Sequence, residues 1–146
     1  MRIITISEDK TFSCTNVLLI NLGIDNLKVK QLFDHLEHEK IKYSKTKIIW
    51  NRYISDDDKY ESNLVMVCNK EVAIEGYKTF KTLKIGPCLY VNHSCAPSDL
   101  HFVYEKIGIH GYENNMSLRR ENITVFREES EHLIGVEVFV PLDVRP

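Results

Sequence analysis

The feature that most narrows the fold of this chain is an order of apolar stretches that runs through twice. Residues 10–21 are rich in β-branched side chains, end in Val17-Leu18-Leu19-Ile20, and read as a strand. A helix follows. Asp25 is placed to accept from the free N–H groups of a first turn, and Val29, Leu32, Phe33 and Leu36 recur at i, i+3, i+4 and i+7. Residues 47–54 and 63–68 return to strand character, with the acidic run Asp56-Asp57-Asp58 as the turn between them. In the second pass, residues 79–85 and 88–93 read as strands separated by a turn at Gly86-Pro87. Ser98 is placed to cap a helix whose apolar face is Leu100, Val103, Tyr104 and Ile107, and Gly111 stands where a left-handed residue would end it. Residues 122–127 and 135–140 are the last two strands, and Pro141 closes the sheet edge.

A shift of 73 residues lays Tyr53 on Phe126 and Val65-Met66-Val67 on Val138-Phe139-Val140, and 73 is half of the 146 residues. The expectation is an α+β fold in a single domain over 1–146, with repeat one about 1–72 and repeat two about 73–146. Two tandem strand–helix–strand–strand units would form one antiparallel sheet, with both helices packed on one face and a central cleft. A chain of this length can bury a core without disulfides or metals.

Charge narrows the partners. The formal net charge is −2 and the lysines are scattered without a basic stripe, which argues against a direct nucleic-acid partner. Val17–Ile20, one of the longest apolar runs, is far too short to span a bilayer, and the first ten residues lack the pattern of a secretory signal. These features place the chain in the cytoplasm as an expectation, with Cys14, Cys68, Cys88 and Cys95 as reduced thiols.

Aromatic residues gather on the expected inner elements: Trp50, Tyr53, Tyr90, Tyr104 and Phe126. Such walls with a few polar groups suit a small-molecule site, although Tyr104, on the apolar helix face, suits a core better. Trp50 and Tyr53 are three apart and point to opposite faces unless a bulge intervenes. Cys88, His93, Cys95 and His101 have the ligand types for zinc but not the paired spacings, so no metal is expected. His93-Ser94-Cys95 sets a thiol near an imidazole, yet neighbours on an extended chain point apart, and no catalytic motif accompanies it. Asp56 to Asp58 lack the glycine and distal glutamate of a calcium loop. No cofactor is implied.

One set of segments carries a family likeness. Tyr90-Val91-Asn92-His93, the helix with Leu100, Val103-Tyr104 and Ile107, then Gly111-Tyr112, Ile123-Thr124-Val125-Phe126 and Val136-Glu137-Val138-Phe139-Val140-Pro141-Leu142 follow one another in order. This pattern resembles the GyrI-like, or AraC-type effector-binding, superfamily. The resemblance implies a tandem strand–helix–strand–strand fold holding a ligand between its halves, here as a stand-alone member. The expected role is a non-enzymatic sensor or sequestering module for a small apolar or aromatic compound, with Trp50, Tyr53, Tyr90 and Tyr104 as walls, Thr124 as polar anchor and Phe126 as floor. A protein partner such as gyrase or a transcription regulator, engaged through the acidic turns, is the alternative, and a hydrolase is the third and least favoured reading. Thr124 stands where the family carries a buried glutamate, and a hydroxyl supplies no fixed negative charge. Glu137, on the neighbouring strand, is a candidate substitute but reads more readily as an exposed strand residue.

Overall fold

Local sequence signals set most of the elements found in the structure, a computed structural model that describes residues 3–54 and 59–143. The strands are β1 (Ile6–Asn21), β2 (Lys47–Ile54), β3 (Lys59–Val67), β4 (Thr79–Cys95), β5 (Glu121–Glu128) and β6 (Ile134–Pro141). The helices are α1 (Asn26–His38) and α2 (Leu100–Glu113), the latter entered through a short 3-10 turn at Pro97–Asp99. The expected turn at Asp56 to Asp58 lies outside the described residues. No helix among the described residues is long and apolar enough to cross a membrane.

Two compact units are present, one of residues 1–12 and 84–146, the other of residues 13–83. The unit of residues 13–83 pairs β1 with β3 and β3 with β2, all antiparallel. Asp25 caps α1 by accepting from the Lys28 N–H at 2.9 Å, as its position predicted. Leu32 and Leu36 of α1 then pack on Leu18, Ile20, Met66 and Cys68. The unit of residues 84–146 pairs β4 with β6 and β6 with β5, again antiparallel. Val103 and Ile107 of α2 pack there on Leu89, Val91, Val136 and Val138. The fold is therefore α+β, with antiparallel pairing and one helix laid on each three-strand ladder.

Four expectations change. β4 does not break at Gly86-Pro87; the chain runs through as one strand across a cis bond. A Cβ on Gly86 would lie 2.8 Å from Thr11 Oγ1 and 3.1 Å from the Lys10 carbonyl oxygen, so the glycine serves a close approach of β1 instead of a turn. Ser98 makes no capping bond, because the 3-10 turn at Pro97–Asp99 precedes the helix and occupies the position. Gly111 does not end α2. It is buried inside the last turns, where a Cβ would meet Leu118 Cδ1 at 3.0 Å, and Asn115 takes the left-handed conformation instead.

The fourth change concerns facing. Met66 packs beneath α1, whereas Phe139, its partner under the 73-residue shift, turns away from α2 while Val138 and Val140 pack beneath it. Side chains alternate along a strand, so a slip of one residue exchanges the faces. A uniform shift of 73 does not preserve them.

Candidate functional site

Each ladder has a second face, turned from its helix, and there polar side chains meet aromatic ones. In the unit of residues 84–146 this face carries Tyr90 and Asn92 of β4, Glu137 and Phe139 of β6, and Arg127 of β5. The Tyr90 hydroxyl donates to Glu137 Oε1 at 2.6 Å, and Arg127 Nη1 lies 3.1 Å from Glu137 Oε2. Arg127 also reaches across β6 to donate to Asn92 Oδ1 at 2.7 Å. It can do so because the residue it crosses is Gly135, where a Cβ would stand 2.9 Å from its Nη2. Phe139 stacks at a tilt on Tyr90, with centroids 4.8 Å apart, and edge-on to Phe12 at 5.4 Å. Both oxygens of Glu137 are thus engaged by internal donors.

Burial, then the Glu137 hydrogen bond, pushes the Tyr90 hydroxyl up to about 12 from its ordinary 10.0. Because the folded value lies above the unfolded one, the stability tied to this proton is whole below pH 10 and is lost as pH rises toward 12. Denaturant titrations across that window should show the wild-type chain losing stability more steeply than Tyr90→Phe. Equal slopes would separate Tyr90 from Glu137.

In the unit of residues 13–83 the corresponding face carries Leu19, Asn21, Trp50, Arg52, Glu61 and Asn63. Asn63, 3 % exposed, donates from Nδ2 to Glu61 Oε1 at 2.9 Å. Arg52 meets that same oxygen only at 3.9 Å, and its guanidinium lies 4.5 Å above the Trp50 ring. Glu61 Oε2 accepts no hydrogen bond among the described residues, and the side chain keeps 23 % of its surface exposed. Glu61 and Asn63 line a cleft of about 400 Å³ whose other walls include Leu19, Ile24, Tyr77 and Lys78. The backbone helps build it: the Leu19 N–H donates to the Lys78 carbonyl at 3.0 Å, drawing the 76–78 segment along β1.

Within each unit the residues picked from sequence fall on different faces of the ladder. Trp50 is buried beside Asn63 on the cleft-bearing face, while Tyr53, in an unbroken register with no bulge, points the opposite way and pairs its ring with Tyr60 at 5.2 Å. Tyr90 lies on the far side of its ladder from Thr124 and Phe126. Tyr104, Thr124 and Phe126 belong to the layer between α2 and the strands, where the Tyr104 hydroxyl lies 2.6 Å from Thr124 Oγ1. Thr124 is 1 % exposed and in turn donates to Asn122 Oδ1 at 3.4 Å. Sequence reasoning missed Glu61 and Asn63, whose only signal was a pair of polar residues two apart at the head of an apolar strand. Glu137, read as an exposed strand residue, is half-buried and tied to Tyr90 and Arg127.

The Tyr104–Thr124 bond makes a checkable claim. Replacing Thr124 with valine leaves the Tyr104 hydroxyl half-buried and without its partner, at a cost of roughly 1–2 kcal/mol in denaturant unfolding. Adding Tyr104→Phe to that variant should return part of the loss. If the single change proves neutral, the bond contributes nothing.

Reactive groups are few. The four cysteines are free. Burial pushes Cys14 and Cys88 up to about 11 and also raises Cys68 and Cys95, so all four stay protonated near neutral pH. Among the described residues no three His, Cys, Asp or Glu side chains converge as a metal site.

No family model matches this sequence, and no curated protein does. Solved structures do. The structure of SAV2435 bound to tetraphenylphosphonium is similar over 98 % of this chain and 95 % of that one, with a TM-score of 0.53 and 11 % identity. The likeness is one of fold. It joins the ladder-and-helix architecture described above to a protein whose structure holds a small organic cation.

Proposed function

We propose that this chain is an effector-binding domain of the GyrI-like type that holds a small organic cation with an apolar body and does not transform it. One observation carries the reading: Glu61 is a half-buried carboxylate with an uncommitted oxygen, lining a cleft with the Tyr77 ring and the side chains of Leu19 and Ile24. A volume of about 400 Å³ suits a drug-sized ligand. An ammonium or phosphonium centre would gain from Glu61 and from the ring face, the latter by about 0.5–2 kcal/mol. Glu137 offers less, since Tyr90 and Arg127 already occupy it. The carboxylate that Thr124 lacks is thus supplied by Glu61. Lys78 on the rim is exposed and free to turn its ammonium into water. The twofold strand–helix–strand–strand order fits descent from a duplicated element, with later slips in register.

A charge-matched pair of probes tests the reading. Tetraphenylphosphonium and tetraphenylborate have nearly the same shape and opposite charge. The cation at a hundred times its dissociation constant should add about 2.7 kcal/mol of stability, read as a rise of roughly 5–10 °C in the melting midpoint. The borate should give little. No shift with either, or equal shifts with both, would overturn the proposal.

A further inference from the structure

A second cleft, of about 280 Å³, lies wholly in the unit of residues 1–12 and 84–146, where the end of β4 meets the first turn of α2. Its apolar walls are Ile4, Phe102 and Leu133, above the buried floor of Val103. His93 and Cys95, two apart on an extended strand, share a face and both line the cleft, contrary to the expectation that they point apart. Asp99 stands at the rim, and its carboxylate makes no capping bond to α2. Among the described residues the His93 imidazole has no hydrogen-bond or ionic partner. An apolar slot edged by uncommitted acceptors is built for a flat apolar body that carries a donor.

From this we infer a second ligand site, distinct from the Glu61 cleft, that takes a small neutral aromatic bearing one N–H or O–H donor. The ring lies between Phe102 and Leu133, and the donor goes to His93 or Asp99. Size supports the class: an apolar cavity of about 150 Å³ already admits benzene, so about 280 Å³ has room for two fused rings. Phe102 keeps 44 % of its surface exposed and stacks on His101 at 4.0 Å, holding its ring at the mouth. Burial first, and the Asp99 charge second, raise the Cys95 thiol, so the cleft binds without reacting.

The 146-residue chain, labelled with nitrogen-15, can be titrated with indole and with toluene as the donor-free control. Indole should shift the amide signals of Ser94, Cys95 and Phe102 and saturate with a millimolar or tighter dissociation constant. His93→Leu should weaken indole roughly fivefold, the cost of one hydrogen bond, and leave toluene unchanged. Leu133→Trp, which fills the slot, should remove both. Glu61→Gln should alter neither, which separates this site from the cation cleft. The inference falls if indole shifts no signal around the cleft, or if it binds Leu133→Trp as well as wild type. It falls equally if His93→Leu weakens toluene as much as indole while the melting midpoint is unchanged.

Discussion

Glutamine in place of Glu61 is expected to lower affinity for tetraphenylphosphonium at least tenfold, while an uncharged compound of similar shape keeps its affinity. The change is nearly isosteric, so the cleft walls and the Asn63 contact can persist, now to an amide oxygen. Only the charge goes. A factor of ten corresponds to about 1.4 kcal/mol, a modest demand on a half-buried carboxylate that, among the described residues, pairs with one cation, at 3.9 Å. The matched change Glu137→Gln should leave the affinity within about twofold, because that carboxylate is already held by Tyr90 and Arg127. Titration calorimetry on the two variants decides between the carboxylates. If Glu137→Gln carries the loss and Glu61→Gln does not, the site belongs on the other ladder.

Truncating Leu89 to alanine should cost roughly 3–4 kcal/mol, because the lost methyl groups come from a fully enclosed place. Leu89 has no exposed surface and packs with Val91, Val103, Ile107 and Val140 between β4 and α2. Against a total of about 5–15 kcal/mol for an ordinary domain, that is a large share, and the melting midpoint should fall by roughly 10 °C. Ile109→Ala is the control. Ile109 lies on the same helix as Val103 and Ile107, yet half of its surface is exposed, and its loss should cost within about 0.5 kcal/mol. Comparable losses at the two positions would mean that α2 presents a different face to the strands.

The helices were legible because their signals are local. Asp25 and the spacing of Val29, Leu32, Phe33 and Leu36 lie within a few turns of chain, and the structure uses them as read. β2 was legible for the same reason, down to its ends. Gly86-Pro87 misled because that pair usually marks a turn; here the approaching backbone at Lys10 and Thr11, some seventy-five residues away in sequence, demands the missing side chain. Val65-Met66-Val67 and Val138-Phe139-Val140 misled in another way. Runs that are apolar at every position show no alternation, so nothing in them says which side faces the helix.

The candidate site suffered the same blindness more severely. Tyr90, Tyr104, Thr124 and Phe126 were grouped by aromatic character and family likeness, but a ladder of strands stands between Tyr90 and the other three. Glu61 gains its role from Asn63 beside it, Arg52 held off over Trp50, and Tyr77 arriving from a later loop. None of those neighbours is a sequence neighbour in the helical or turn sense.

Sequence alone therefore determined the Asp25 cap, the apolar helix faces, the α+β class and the order of elements other than the run through Gly86-Pro87, since each follows from signals that act over a few residues. Tertiary structure decided the strand register, the side of each ladder on which a residue stands, and which carboxylate keeps a free oxygen. The physical reason is that pairing between distant strands sets those relations, and a slip of one residue would reverse them at no cost visible in the sequence.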